Sequence, residues 1–301
     1  MNTTDLIHYT HCPSCGSDAI YPALSAKDYT VSQTVFEIWH CDECTLRFTQ
    51  NVPGASAIGA YYQSENYVSH SDTEKGLINR LYHLVRNRTL QSKRKLIEKV
   101  SGKTNGHLLD IGAGTGAFSH TMQKAGWQIT ALEPDETARQ NAQKKYGLGL
   151  YHPDELYTLK TPEFAVVTLW HVLEHVHQLH FYLEQFHKCL QKDGCLVIAV
   201  PNYTSVDAKT YGEYWAAYDV PRHLYHFSPK SMERLVQSKG FETIGLYPMW
   251  YDSFYVSMLS EQYKNGTGNL PGAVWNGLRS NLATLRDVRK GSSVIYVFRK
   301  V

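Results

Sequence analysis

The run Leu108-Leu109-Asp110-Ile111-Gly112-Ala113-Gly114-Thr115-Gly116 has the residue types and spacing of a turn built to hold a ligand. Asp110 closes a short apolar stretch and glycines follow at alternate positions. Glycine lets the backbone pass close beneath a ligand, and a helix starting near Ala117 would aim its free N–H groups there. A dinucleotide turn needs G-x-G-x-x-G, whereas here the third glycine arrives one residue early. Glu133, 17 positions after Gly116, falls at the end of the next expected strand, where a carboxylate accepts both hydroxyls of a ribose.

Two further groups carry chemistry. Cys12/Cys15 and Cys41/Cys44 form two C-x-x-C pairs, a spacing that suits tetrahedral thiolate coordination of zinc; the alternative is paired cysteines that are vestigial or redox-active. The other two of the six cysteines, Cys189 and Cys195, lie in apolar contexts and read as core. Histidines gather in His171-Val172-Leu173-Glu174-His175 and in Pro221-Arg222-His223-Leu224-Tyr225-His226-Phe227. Imidazole is the natural proton acceptor near neutral pH, which makes His223, His226 and His171 the candidate bases. By ligand type, His171, Glu174, His175 and His223 also suit a divalent cation. The plainer alternative has Glu174 and His175 pairing within a helix start, with His177, His180 and His187 on its solvated face.

These residues need elements to position them. Residues 1–50 hold both cysteine knuckles and a β-branched, aromatic stretch at 29–40, so a zinc-ribbon-like module is expected, with metal supplying much of its folding free energy. Residues 51–105 read as a helical linker or lid: Leu77, Leu81, Leu84, Val85, Leu96 and Val100 fall at helical spacing, and the intervening Lys and Arg read as a solvated face. Tyr61, Tyr62, Tyr67 and His70 are placed to fold over a pocket as a lid. From residue 106 to 301 strand and helix signals alternate. HLLDI, WQITALE, GLGLY, the near-continuous apolar run FAVVTLW, and CLVIAVP read as successive strands. GFETIGLYP and SSVIYVFRKV are expected to pair as an antiparallel hairpin across a helical insert at 252–290. The fold predicted is α/β, a doubly wound Rossmann-like seven-stranded sheet with an antiparallel C-terminal strand, plus the small N-terminal module.

Composition narrows the classes of function. The chain is 301 residues long, 43% hydrophobic and 12% aromatic, enough for one substantial core and an accessory module. With 30 basic against 28 acidic side chains there is no field to draw it onto nucleic acid or an anionic membrane. The opening residues lack a basic-then-apolar leader and no run of about 18 apolar residues occurs, so a cytoplasmic protein is expected.

At LLDIGAGTG the sequence resembles the class I S-adenosylmethionine (AdoMet) dependent methyltransferases, whose first motif is D-x-G-x-G-x-G with an acidic residue closing the second strand. Asp110, Gly112, Gly114, Gly116 and Glu133 match it, and the resemblance continues through TLWHVLEHV (168–176) and LQKDGCLVIAVPN (190–202). It implies AdoMet as cofactor, with the methionine part over Asp110 and the glycine loop, the ribose on Glu133, and the adenine near Asp154 or Glu155. Ala113, Pro134, Trp170 and His171 complete the implied cofactor-binding set. One departure is visible: many relatives have F-D-V-V in the fourth strand, where this chain has Phe164-Ala165-Val166-Val167. Leu173-Glu174-His175 is similar to the E-x-x-E-H segment of quinone-biosynthesis and small-RNA methyltransferases that hold a divalent metal, although His171 stands at the first acidic position. N-terminal cysteine modules on this fold resemble those of sugar-modifying methyltransferases. Together these imply methyl transfer to a small-molecule acceptor such as a sugar, glycan precursor or other metabolite. A nicotinamide-dependent oxidoreductase and a non-catalytic AdoMet- or zinc-binding adaptor are the rival readings.

Overall fold

The computed structural model of the chain describes residues 6–62, 77–159 and 163–301, with residues 77–84 as backbone only. Near the N terminus, alternation of apolar and polar residues produces the antiparallel strands β2 (Ile20–Lys27), β3 (Val35–Cys41) and β4 (Arg47–Thr49), while the two-residue strands β1 (Leu6–Ile7) and β5 (Val52–Pro53) pair beside them. The expected ribbon is present, and both cysteine knuckles sit at one end of it.

A 25-residue helix, α1 (Leu77–Ser101), leads into the large sheet. Strands β6 (Gly106–Ile111), β7 (Trp127–Leu132), β8 (Phe164–Trp170) and β9 (Leu190–Pro201) are parallel. They alternate with α2 (Ala117–Lys124), α3 (Glu136–Tyr146) and α4 (Leu179–Cys189). Both β8 and β9 are buried almost throughout, as strands covered on both faces must be. Beyond them follow α5 (Val206–Tyr211), β10 (Tyr225–His226), α6 (Pro229–Gln237), β11 (Phe241–Pro248), α7 (Asp252–Asn265), α8 (Leu270–Arg286) and β12 (Ser293–Lys300). Strand β12 runs antiparallel between β9 and β11, so the hairpin across a helical insert is found as expected. The sheet order is β11-β12-β9-β8-β6-β7.

The segment GLGLY, expected as a seventh strand, contributes a single bridge, Leu132 to Tyr151. Glycine gives a strand little to pack, and Pro153, two residues on, has no N–H to continue a ladder. The fold is therefore a six-stranded mixed sheet of doubly wound, Rossmann-like type. Its glycine turn follows β6, where the strand order reverses towards β7 on one side and β8 on the other, which is where open α/β sheets bind ligands. No helix among the described residues is long and apolar enough to cross a membrane.

The ribbon and the large sheet share a hydrophobic core. Cys41, Cys44, Leu46 and Phe48 are buried in one cluster with Leu173, Leu224 and Phe227. Strand β10 completes the ribbon's sheet as its edge, with Tyr225 opposite Phe48 and His226 opposite Arg47. His177 and His180, expected on a solvated helix face, instead place Nε2 3.0 Å from the carbonyls of Pro53 and Pro13. Apolar spacing alone gives no sign that a second module covers that face.

Candidate active site and cysteine centre

At the glycine turn, Gly112, Gly114 and Gly116 all have left-handed backbone, with φ of 66°, 54° and 77°. At Gly112 a side chain is also excluded by contact, since a Cβ would lie 2.4 Å from Val172 Cγ2. Gly116 caps α2, directing that helix's N-terminal N–H groups toward the turn. Asp110 is fully buried, accepting hydrogen bonds from Ser119 Oγ (2.6 Å) and Thr168 Oγ1 (2.8 Å). Burial pushes its carboxyl up to about 6 against those bonds. Glu133 lies against the loop: its Oε2 accepts from the Gly114 N–H at 2.7 Å and its Oε1 from the Asp135 N–H at 3.0 Å. The Ala113 N–H donates to the Leu132 carbonyl and ties the turn to β7, next to Pro134. Asp154 is exposed and paired with His152 at 3.1 Å, three residues past Tyr151, whose carbonyl accepts from the Glu133 N–H.

The sequence reading missed Lys93. It belongs to the basic stretch of α1 that was expected on a solvated face. However, it is partly buried, its Nζ 4.2 Å from the centre of the Trp170 ring and within electrostatic reach of Asp110 and Asp252. Burial lowers its ammonium to about 8 despite those carboxylates. The signal was available in the spacing, because Leu90, Lys93, Ile97 and Val100 share one helical face. With Val85, Arg86, Thr89 and Leu90, Lys93 lines an open groove of about 310 Å³. Trp170 stands between it and Phe118, its buried indole N–H without an acceptor among the described residues.

Beyond β8 the two histidine segments meet. Glu174, His175 and His223 place their ligating atoms within 4.8 Å of one another. His223 Nδ1 donates to the Ala217 carbonyl at 2.9 Å, and His175 Nδ1 donates to the Arg222 carbonyl at 3.0 Å, so Nε2 is the nitrogen of each ring not tied to a backbone carbonyl. Tyr62 of the expected lid places its hydroxyl 3.0 Å from His175 Nδ1, while Tyr67 and His70 lie outside the described residues. The fully buried Glu174 carboxylate has His171 Nδ1 3.4 Å from its Oε1, while its Oε2 has no hydrogen-bond donor among the described residues. A buried carboxylate with an unsatisfied Oε2 beside two imidazoles fits a divalent cation by ligand type and by the oxygen it would satisfy.

His171 stands apart from this trio. Its Nε2 is 3.0 Å from Asp252 at the start of α7, and its Nδ1 is 3.4 Å from Glu174 Oε1. Burial opposes its charge, but the two carboxylates win and raise it to about 10, so it is protonated at neutral pH and not poised to accept a proton. Asp252 is 81 residues from His171 and nothing in the sequence links them. His226 is buried in the ribbon's edge, its Nε2 3.1 Å from Thr49 Oγ1; burial, then His223 and Arg47, keep it neutral.

At the cysteine centre, Cys12 Sγ and Cys44 Sγ are 3.5 Å apart and Cys15 Sγ and Cys41 Sγ 3.6 Å, with all four sulfurs within 4.8 Å. Four thiolates about 2.3 Å from one ion stand about 3.8 Å apart, so the cluster has the size of a tetrathiolate zinc site. None of the four is in a disulfide. Purified protein is expected to carry one zinc per chain, measurable by elemental analysis, with metal–sulfur distances of about 2.3 Å by X-ray absorption. Metal-free protein with four titratable thiols after purification without chelator would exclude the site.

Comparisons with known proteins identify the family. A family model described as a methyltransferase domain matches residues 83–246, more than half of the chain, and the chain belongs to that family. The class that the fold and the family define is the AdoMet-dependent methyltransferases. Among curated proteins it is similar to the ubiquinone biosynthesis O-methyltransferase of Pelagibacter ubique (strain HTCC1062), 31% identical over 104 residues, covering 32% of this chain and 42% of that one. It is also similar to the ubiquinone biosynthesis O-methyltransferase of Glaesserella parasuis serovar 5 (strain SH0165), 27% identical over 167 residues, covering 48% of this chain and 70% of that one. The chain thus spans less than half the length of the first of these relatives. In fold it is similar to a protein from Galdieria sulphuraria described as a sarcosine dimethylglycine methyltransferase, with a TM-score of 0.50, 14% identity, and coverage of 74% of this chain and 88% of that one.

Proposed function

We propose that this methyltransferase transfers the methyl group of AdoMet to a hydroxyl of a small-molecule acceptor, such as a sugar or another hydroxylated metabolite, and that the acceptor's proton is lost at Glu174, His175 and His223. The observation that carries the reading is the buried Glu174 carboxylate, its Oε2 without a donor among the described residues, beside two imidazoles whose Nδ1 atoms are already committed to backbone carbonyls. Similarity to two O-methyltransferases supports oxygen as the atom methylated.

AdoMet is held by this chain's own groups. Asp110, Gly112, Ala113, Gly114 and Gly116 form the floor under the methionine part, with Glu133 and Pro134 on the ribose and Asp154 toward the adenine. Lys93 pairs with the methionine carboxylate and Trp170 walls the pocket. Transfer from a sulfonium is an in-line displacement, so orienting both reactants and removing one proton is most of what the protein must do. A divalent cation on Glu174, His175 and His223 would stabilise the acceptor as its alkoxide. His171, kept cationic by Asp252, holds the Glu174 carboxylate in place, and His226 braces the His223 segment against the ribbon. In this reading residues 1–50 form the zinc module, 51–105 the linker and lid, and 106–301 the catalytic domain, with β10 lent to the module's sheet.

Two measurements test it. Turnover of labelled AdoMet on nucleotide-sugars, phenols and a metabolite extract is expected to fall to background with chelator and return with Mg²⁺, Mn²⁺ or Zn²⁺ while the protein's structural zinc content stays constant. Full turnover in chelator would instead assign proton removal to His223 Nε2 alone, which faces Asp219 at 3.9 Å. Lys93→Met should weaken AdoMet roughly tenfold, the size of one charge-assisted contact at a partly solvated site, with little change in Tm. An unchanged Kd would remove Lys93 from the cofactor site.

A further inference from the structure

Helix α8 has its small residues inside and its large apolar residues outside. Ala273, Gly277, Ser280 and Thr284 are buried, and at Gly277 an added Cβ would lie 2.5 Å from the Phe254 ring of α7. The opposite face presents Leu270, Pro271, Val274, Trp275, Leu278, Leu282 and Leu285 to water, with only Arg279 and Arg286 as charges. Trp275 and Leu285 are each 69% exposed. A surface helix normally shows the reverse arrangement.

Two properties of this face say what covers it. Positions 271, 275, 278, 282 and 285 alternate in steps of four and three, the 3.5-residue repeat of a seam that packs against another helix. The exposed apolar side chains leave on the order of 800 Å² in water, above the largest patch of a typical monomer and about one partner's share of a standard interface.

We propose that α8 pairs antiparallel with α8 of a second copy of this chain, forming an isologous two-fold dimer. The seam is self-complementary in that arrangement: Leu278 lies midway between Pro271 and Leu285, so it meets its own counterpart on the axis while Pro271 meets Leu285 at each end. A lipid surface suits the face less well. Helices that lie on membranes keep a strongly charged face in water, whereas the other side of α8 is packed on α7 and two arginines are its only cations.

The arginines separate the two partners experimentally. Arg279 and Arg286 flank the seam in both copies, so like charges approach on dimerisation and added salt should tighten the dimer, whereas it would loosen attachment to anionic lipid. Sedimentation equilibrium of the full chain at micromolar concentration should give twice the chain mass, more completely at high salt. Leu278→Arg should raise the dimer Kd roughly 100-fold, as loss of a central anchor does, at unchanged far-UV circular dichroism. A second variant covers the case in which that one fails to fold: Leu278→Cys should cross-link to a dimer on mild oxidation, whereas Gln262→Cys, exposed but off the seam, should not. A wild-type chain that stays monomeric at high micromolar concentration, or that stays monomeric while floating with phosphatidylglycerol vesicles, overturns the proposal. So does cross-linking of the two cysteine variants to equal extent.

Discussion

Glu133→Ala is expected to weaken AdoMet binding by roughly 100-fold or more, because one carboxylate makes two charge-assisted hydrogen bonds to a ribose, each contributing roughly 1.5–3 kcal/mol. The same carboxylate braces the turn, accepting from the N–H groups of Gly114 and Asp135, so its removal also loosens the loop. Calorimetry with AdoMet and with its demethylated product measures the loss directly. In wild-type protein both ligands should raise Tm by mass action, and in the variant that increment should vanish at the same ligand concentration. Full-strength binding in Glu133→Ala would show that the ribose is held elsewhere.

His223→Ala is expected to lower turnover by about 100-fold or more while leaving the AdoMet Kd within a factor of about two, the behaviour of a group that acts on the acceptor's proton. Some loss of stability will accompany it, since the Ala217 carbonyl loses the N–H it accepts and an unsatisfied buried acceptor costs roughly 1–3 kcal/mol. Kinetics measured well below the variant's Tm, at saturating acceptor, separate the two effects. If turnover follows the fraction folded and nothing more, His223 is structural. If turnover is intact, the proton leaves by a route that does not involve this ring.

The glycine turn, Glu133 and the cysteine pairs were legible in the sequence because each rests on spacing within a few residues, and local spacing survives folding unchanged. Strands β8 and β9 were legible for a related reason, since an unbroken apolar run has few other places to go. What eluded sequence reading depends on contacts between distant segments. Asp252 becomes a partner of His171 only because α7 starts at the end of β11 beside the mouth of β8. Lys93 looked like one cation among many in a basic stretch, and its meaning lies in what its face packs against. The histidines of 177–180 were assigned to water because nothing in their spacing reveals that the ribbon covers them. The outer face of α8 was not foreseen either, since the sequence indicated a helical insert at 252–290 but not which of its faces would be left in water.

The pairing of β4 with β10 has a consequence for the order in which the molecule comes together. Thr49 and His226, joined across that edge, are 177 residues apart in the chain, and Thr49 also binds the carbonyl of His223 through its hydroxyl. During synthesis the ribbon is made before the large sheet, and its four cysteines are all in place while the strands of that sheet are still unmade. The ribbon's open edge then waits for a strand that exists only after β6 through β9 have been made. Contacts of such long sequence separation form late, because the loop between them must be closed before they return any free energy. The segment bearing His223 is therefore anchored to the ribbon only after the glycine turn has been made, and a chain that stalls before that step lacks the cluster of Glu174, His175 and His223.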